Sequence, residues 1–436
     1  AVSLPHPLEK PAAEALPLTL DFRFPDSGLT EWTGEYGGRL SAAARFDPTD
    51  DGLRFVAGQI LGGGSGASIG EEAGLVIDGK VDRLPIIDWL GVRFGDQREG
   101  ELRDLLTRID LKVDQAYFGG QHVADVGARV EQLAADWLVT VTSETLSGTI
   151  TVPMNLSRGS PIVLAMDRLY LDDDADDSAG EEPLDPKSVP SMVVEIADFQ
   201  SEGLRLGSLA GEIVSVPNGF RIERMDMSGD AFTIKGSGHS LLGFGKDSSE
   251  LSIDVASSDL GDAMGFIGFD RTVEAKSAKM NVDLRWTGGW PAEPLEVAEG
   301  AASLRIKNGS LSEVKPGAGR VFGLLSVQAL PRRLTLDFRD VFKKGFFFDE
   351  LKGDFSIDRG IAYTDNLVFR SPAADIGILG GVDLVGRTYD QTAIVSAEVG
   401  NTLPVVGAIA VSPVIGAGLF VLKEIFKEPL RGMTQI

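Results

Sequence analysis

Residues 194–236 read VEIADFQSEGLRLGSLAGEIVSVPNGFRIERMDMSGDAFTIKG. Apolar side chains recur at every second position in short runs: Met192, Val194 and Ile196, then Phe220 and Ile222, then Phe232 and Ile234. That is the period of a strand with one apolar face. Gly, Asn or Asp separates the runs, so the stretch reads as strand, turn, strand, turn, strand, turn, strand. Residues 109–152 (IDLKVDQAYFGGQHVADVGARVEQLAADWLVTVTSETLSGTITV) read the same way. A loose period of about forty residues predicts stacked modules and an elongated body.

The same alternation extends in both directions. Leu18, Leu20 and Phe22 carry it near the start, followed by Leu53, Phe55 and Ala57. Phe355 and Ile357, Leu367 and Phe369, and Ile376 and Ile378 carry it near the end. Strand-like runs continue almost to residue 400, which predicts an all-β, mainly antiparallel architecture. At about 4.8 Å per strand, two dozen stacked strands would reach on the order of 100 Å.

The composition is that of a folded protein, with 43% apolar and 24% charged residues in a chain of 436. The 53 glycines are scattered among short runs, as many turns require. A net charge of −24 is wrong for nucleic acid, which needs clustered Lys and Arg. No Cys is present, so there is no disulfide framework and no thiolate metal site. The chain begins at Ala1 without a Met, a charged n-region or an apolar h-region, and so reads as a processed form or a fragment.

Four segments break the alternation. Residues 84–108 contain a short apolar turn around 87–90 and a helical stretch near 101–108. Residues 172–187 are acidic and Pro-containing, which predicts a surface loop within a linker over 172–190. Residues 257–268 read as a short helix with Asp259 as its N-cap. Residues 403–422 carry no charge and are long enough to span a bilayer. Pro404, Pro413 and the glycines favour two short apolar helices instead, followed by an amphipathic end. The expected divisions are therefore 1–171, 172–190, 191–400 and a helical tail over 401–436.

Sites for chemistry are hard to find. His6, His122 and His239 stand in unrelated contexts, each without a carboxylate or second His at ligand spacing. No Ser occupies a G-x-S-x-G elbow. The run Gly62-Gly63-Gly64-Ser65-Gly66 follows a strand but lacks the Lys of a phosphate loop, and reads as a bend or bulge. No metal or cofactor is expected, and neither is an enzyme.

Residues 319–340 read GRVFGLLSVQALPRRLTLDFRD. An apolar, helix-compatible segment meets an alternating strand in which Leu334, Leu336 and Phe338 face away from Thr335, Asp337 and Arg339. Before it stand DLGDAMGFIGF (259–269) and DLRWTGGWPAEPLEV (283–297). In this order the motifs resemble the AsmA-like family, in its YhdP branch. The resemblance covers most of the chain and is densest after residue 255. It departs at the end, because family members continue past the apolar tail into a final strand with Gly-x-Trp, whereas this chain stops at Ile436. It also favours the fragment reading, since AsmA-like proteins are longer and carry an N-terminal membrane anchor.

What the resemblance implies is a twisted sheet folded lengthwise into an apolar-lined trough. It implies a periplasmic part of an inner-membrane-anchored protein, with its C-terminal end toward the outer membrane. The implied function is intermembrane phospholipid transport, with acyl chains in the trough and membranes or membrane proteins as partners. On that expectation the groove lining includes Leu304, Ile306, Leu334, Leu336, Phe338, Phe355, Ile357, Leu367, Phe369, Ile376 and Ile378. Alternation alone does not separate lining from sealed core at any of them. Arg332 and Arg333 either meet lipid phosphates or cap the preceding helix. The rival reading is a non-catalytic scaffold that binds partner proteins. A weaker rival is a secreted polysaccharide enzyme, which five scattered Trp and five Tyr argue against.

Overall fold

A computed structural model of the chain describes His6 and residues 16–25, 28–50, 52–71, 73–86, 105–118, 121–155, 159–171, 185–201, 203–243, 247–266, 271, 273–289, 294–311, 346–372, 375–386, 388–397 and 405–410. They form two units, each built almost wholly of strands. The first comprises Ala1–Glu181 with Ser191–Gly203, and the second Glu182–Pro190 with Leu204–Ile436.

In the first unit the strands are β1 (Leu18–Arg23), β2 (Thr30–Tyr36), β3 (Leu40–Thr49), β4 (Gly52–Gly62), β5 (Gly74–Pro85) and β6 (Leu106–Phe118). They continue with β7 (Gln121–Gln132), β8 (Asp136–Thr142), β9 (Leu146–Pro153), β10 (Ile162–Leu171) and β11 (Met192–Ser201). Each pairs with the next in chain order. The pairing is antiparallel except for β4–β5, β5–β6 and β10–β11, which are parallel. Parallel neighbours cannot be joined by a tight hairpin, because the chain must return to the starting edge. The three returns are residues 63–73, 86–105 and 172–191. They coincide with the glycine run and with two of the segments where alternation fails in the sequence.

The first crossover also explains two of its glycines. Gly62 and Gly79 face each other on β4 and β5. Gly79 has φ +133, and a Cβ there would lie 2.2 Å from the Gly62 carbonyl oxygen. Only glycine allows that backbone angle and that approach together.

The second unit holds β12 (Leu204–Val216), β13 (Gly219–Ser228), β14 (Phe232–Leu241), β15 (Ser248–Ser257), β16 (Val273–Trp286) and β17 (Glu299–Leu311). It continues with β18 (Phe346–Asp358), β19 (Ile361–Arg370), β20 (Asp375–Asp383), β21 (Thr388–Ala397) and β22 (Val405–Ala410). All neighbours are antiparallel, again in chain order. Two short helices interrupt them, α1 (Leu260–Phe266) and α2 (Pro294–Val297), and a 3-10 turn spans Pro186–Ser188. α1 starts where the sequence predicts: the Asp262 amide donates to Asp259 Oδ1 at 3.0 Å, satisfying an end the helix leaves open. It packs on β16 and reaches β12.

The apolar face changes parity partway along several strands. On β16 the buried positions are Val273 and Ala275, then Ala278, Leu284 and Trp286. On β17 they are Ile306, then Gly309 and Leu311; on β18 they are Phe348, then Leu351, Gly353 and Ile357. The switch lies at one level on all three strands, so the ladders stay in register. Asn308, with φ +52, marks it on β17. One extra residue per strand at a common level bends the sheet without exposing its core.

Two expectations change. Leu106, Thr107 and Arg108 open β6 instead of ending a helix, because Leu106 and Arg108 pair with β5 and Arg108 also pairs with β7. Val405–Ala410, expected as part of a helical tail, is a strand paired with β21. β-branched Val405, Val406 and Ile409 suit a ladder better than an isolated helix, and β21 offers them an edge. The rest of that tail (401–404 and 411–436) lies outside the described residues, as do 172–184 of the acidic linker. Among the described residues no helix is long and apolar enough to cross a membrane.

Candidate functional site

The first unit carries one apolar row across all its strands. It begins at Leu20 and passes through Gly34, Ala42 and Ile60. It continues through Ile77, Ile109, Val130 and Val139. Ile150, Leu164 and Val194 complete it. Apart from Gly34, no member is buried: Leu20 is exposed and the others are half-buried. The opposite face is polar at the neighbouring level. Asp110, Arg129, Thr140 and Thr149 stand in register there. The Arg129 guanidinium donates to Asp110 Oδ2 from Nε at 3.0 Å and from Nη2 at 2.6 Å. A sheet with one wet face ordinarily packs its other face away. Here the row at this level stays half-buried, while Val113, Val126, Val141, Met166 and Ile196 farther along the same strands are buried.

The second unit begins the same way. Leu209, Met227, Ile234, Val255, Met280 and Leu304 form a row across β12–β17. All are half-buried except Met280, which is exposed. Beyond β17 the apolar face closes. Ile306, Phe369, Ile376 and Ile378 belong to one buried cluster with Val273, Phe348, Leu351 and Ala393. Phe348 and Phe369 meet edge to face at 5.5 Å, an arrangement that suits their ring quadrupoles. Leu260 and Met264 of α1 pack against the same cluster. Ile357 lies in a second cluster with Leu284, Trp286, Ala298 and Ala362.

The predicted lining residues therefore occupy two environments. Ile306, Ile357, Phe369, Ile376 and Ile378 are buried, whereas Leu304, Phe355 and Leu367 are half-buried at the margins of the clusters. Leu367 reaches over Gly353, where a Cβ would meet its Cδ1 at 2.9 Å. Leu334, Leu336, Phe338, Arg332 and Arg333 lie outside the described residues. β17 pairs directly with β18, so Leu311 and Phe346 stand opposite each other. Sequence reading did not single out Ile60, Ile77, Val130, Val139, Ile150 or Leu164 as candidate contacts. Their alternation was the available signal, but it carries no information about cover.

Conventional site chemistry is sparse among the described residues. No group of three or more His, Asp or Glu side chains could hold a metal ion there. His6, which has no carboxylate at ligand spacing in the sequence, donates from Nε2 to Asp82 Oδ1 at 2.7 Å across 76 positions of sequence. That hydrogen bond holds the Asp82 carboxyl below its usual range. His122 stacks on Tyr117, with ring centroids 6.2 Å apart.

A family model described as YhdP protein matches residues 1–436. A curated relative from Escherichia coli (strain K12), the intermembrane phospholipid transporter YhdP, is 32% identical over 183 residues. The match covers 42% of this chain and 14% of that relative. No solved structure matches.

Proposed function

The chain belongs to the YhdP family, and from that premise we propose that it is part of a conduit carrying phospholipid between the membranes of a cell envelope. The observation that supports this best is the uncovered apolar row of the first unit. Its members sit on successive strands about 4.8 Å apart, so an acyl chain lying along it meets a new side chain on nearly every strand. Each CH₂ withdrawn from water contributes about 0.8 kcal/mol, which retains a lipid without a covalent or catalytic step. Movement along the row exchanges one aliphatic contact for an equivalent one.

In this reading the first contacts are the half-buried positions, from Ile60 to Val194 in the first unit and from Leu209 to Leu304 in the second. Phe355 and Leu367 continue them. Ile306, Ile357, Phe369, Ile376 and Ile378 form the wall behind the lining at its closed end. Leu334, Leu336 and Phe338 extend the lining, and Arg332 and Arg333 meet phosphate. The protein sits in the periplasm, anchored at the inner membrane, with the C-terminal end toward the outer membrane.

The test is the lipid content of the purified protein. Phospholipid extracted from the wild type, and largely lost in Ile150→Asp with strand content unchanged, is the expected result. A folded protein free of lipid in both forms would instead favour the scaffold reading.

A further inference from the structure

One rim of the second unit is apolar where turns are ordinarily polar. Three connections meet there: α2 with Ala298 between β16 and β17, Arg359–Gly360 between β18 and β19, and the turn after Asp383 between β20 and β21. They are tied side by side. The Arg359 amide donates to the Ala298 carbonyl at 2.8 Å, and the Leu384 amide donates to the Gly360 carbonyl at 2.8 Å. On this rim Leu295, Val297, Ile361, Leu384 and Val385 are all exposed, between 37% and 50%. Gly360 keeps the turns close: at φ +82, a Cβ there would lie 2.8 Å from Val385 Cγ2. Further along the same rim the β12–β13 turn is Pro217–Asn218, and the opposite rim carries Gly229–Asp230 between β13 and β14. The apolar turns are therefore a local feature, not a property of the sheet's rims in general.

We propose that this rim docks on the surface of a zwitterionic phospholipid leaflet, inserting the aliphatic side chains of its three turns. Two observations select that occupant. The patch is continuous with apolar interior, because Ala298 and Ala362 beside it belong to the cluster containing Ile357, with Phe355 packed against it. The charges also exclude an anionic surface as the attractant. Arg359 is paired with Asp358 at 3.0 Å and Arg285 with Glu299 at 3.8 Å, while Glu296 and Asp383 add negative charge. Attraction to an anionic surface needs unpaired cations, and among the described residues of this rim both Arg are paired, so binding here comes from apolar burial. Protein interfaces, by contrast, are anchored by Trp, Tyr and Arg at their centre, and among the described residues the tips of these turns offer aliphatic side chains and a paired Arg.

The inference rests on the phospholipid-carrying reading, and its test separates the two. The chain has no Cys, so single Val385→Cys and Val297→Cys variants can carry a polarity-sensitive fluorophore, with Ser237→Cys on β14 as control. Vesicles of phosphatidylcholine and phosphatidylethanolamine should shift the emission of both rim probes to the blue and leave the control unchanged. Leu295→Asp combined with Leu384→Asp should weaken vesicle binding by about tenfold or more, with the thermal unfolding profile retained. Unchanged rim emission, from protein that still carries extracted lipid, overturns the docking and leaves carriage standing. A blue shift without vesicles that grows with protein concentration also overturns it, because the occupant is then a second copy. A vesicle-dependent shift in protein that carries no lipid upholds the docking and removes the carriage.

Discussion

Val139 and Ile376 occupy equivalent places in the alternation, each inward on a central strand, yet Val139 keeps partial contact with water and Ile376 is 3% exposed. The row through Val139 consists of Ile, Val and Leu from β4 to β11, with no aromatic ring in it and no helix packed on it among the described contacts. The face through Ile376 is filled by Phe348 and Phe369 and abutted by α1. The same period-2 pattern thus yields an open lining in one region and a packed core in the other. Bulk and cover decide which, and both are tertiary properties.

The comparison is most easily broken by truncating one side chain in each region. Phe369→Ala should cost about 3–5 kcal/mol, the usual loss for a buried ring, read from the denaturant midpoint. A loss below about 1 kcal/mol would mean that this face is no more closed than the other. Ile150→Ala removes a half-buried side chain and should cost about 1–2 kcal/mol. A loss as large as that of Phe369→Ala would show that the open row is structural core.

Smaller effects sharpen how the closed region is covered. Asp259→Ala removes the cap of α1 and should cost about 1 kcal/mol. Because Leu260 and Met264 lie against the closed cluster, the variant should also speed hydrogen exchange in β16. Equal exchange in variant and wild type would sever α1 from that cover. The smallest effect belongs to the first unit. Asp82 is held below its ordinary pKa by His6. This contact therefore adds stability above the unfolded value near about 3.9, and loses it as pH falls through the lower folded value. The carboxylate is largely exposed, so His6→Ala should cost at most about 0.2–1 kcal/mol at neutral pH. The cost should vanish in acid, and a difference that persists at low pH would assign His6 another role.

Much of the fold was legible because strand alternation is a local signal. The runs at Leu18–Phe22, Met192–Ile196, Phe355–Ile357 and Ile376–Ile378 are all strands, and Asp259 caps a helix. The breaks in alternation were legible too, though not their meaning: the glycine run and residues 86–105 and 172–191 carry the chain between parallel neighbours. The parity switch at Asn308 was hidden, since an Asn within a strand reads as a turn until its neighbours' register is known. Val405–Ala410 misled because Pro and Gly around an uncharged run suggest broken helices, whereas an available strand edge decides the matter. The site was legible as a face and not as a surface. Nothing in the alternation distinguishes Ile376 from Val139.

The most direct measurement is photocrosslinking in cells, with the probe placed in turn at Val139, Ile150, Ile376 and Thr140. Thr140 lies on the polar face between two inward neighbours. Phospholipid adducts at Val139 and Ile150, with none at Thr140 and few at Ile376, are the predicted result. A folded protein without adducts at Val139 and Ile150, or with equal yield at Thr140, would contradict an open apolar row as the lipid path.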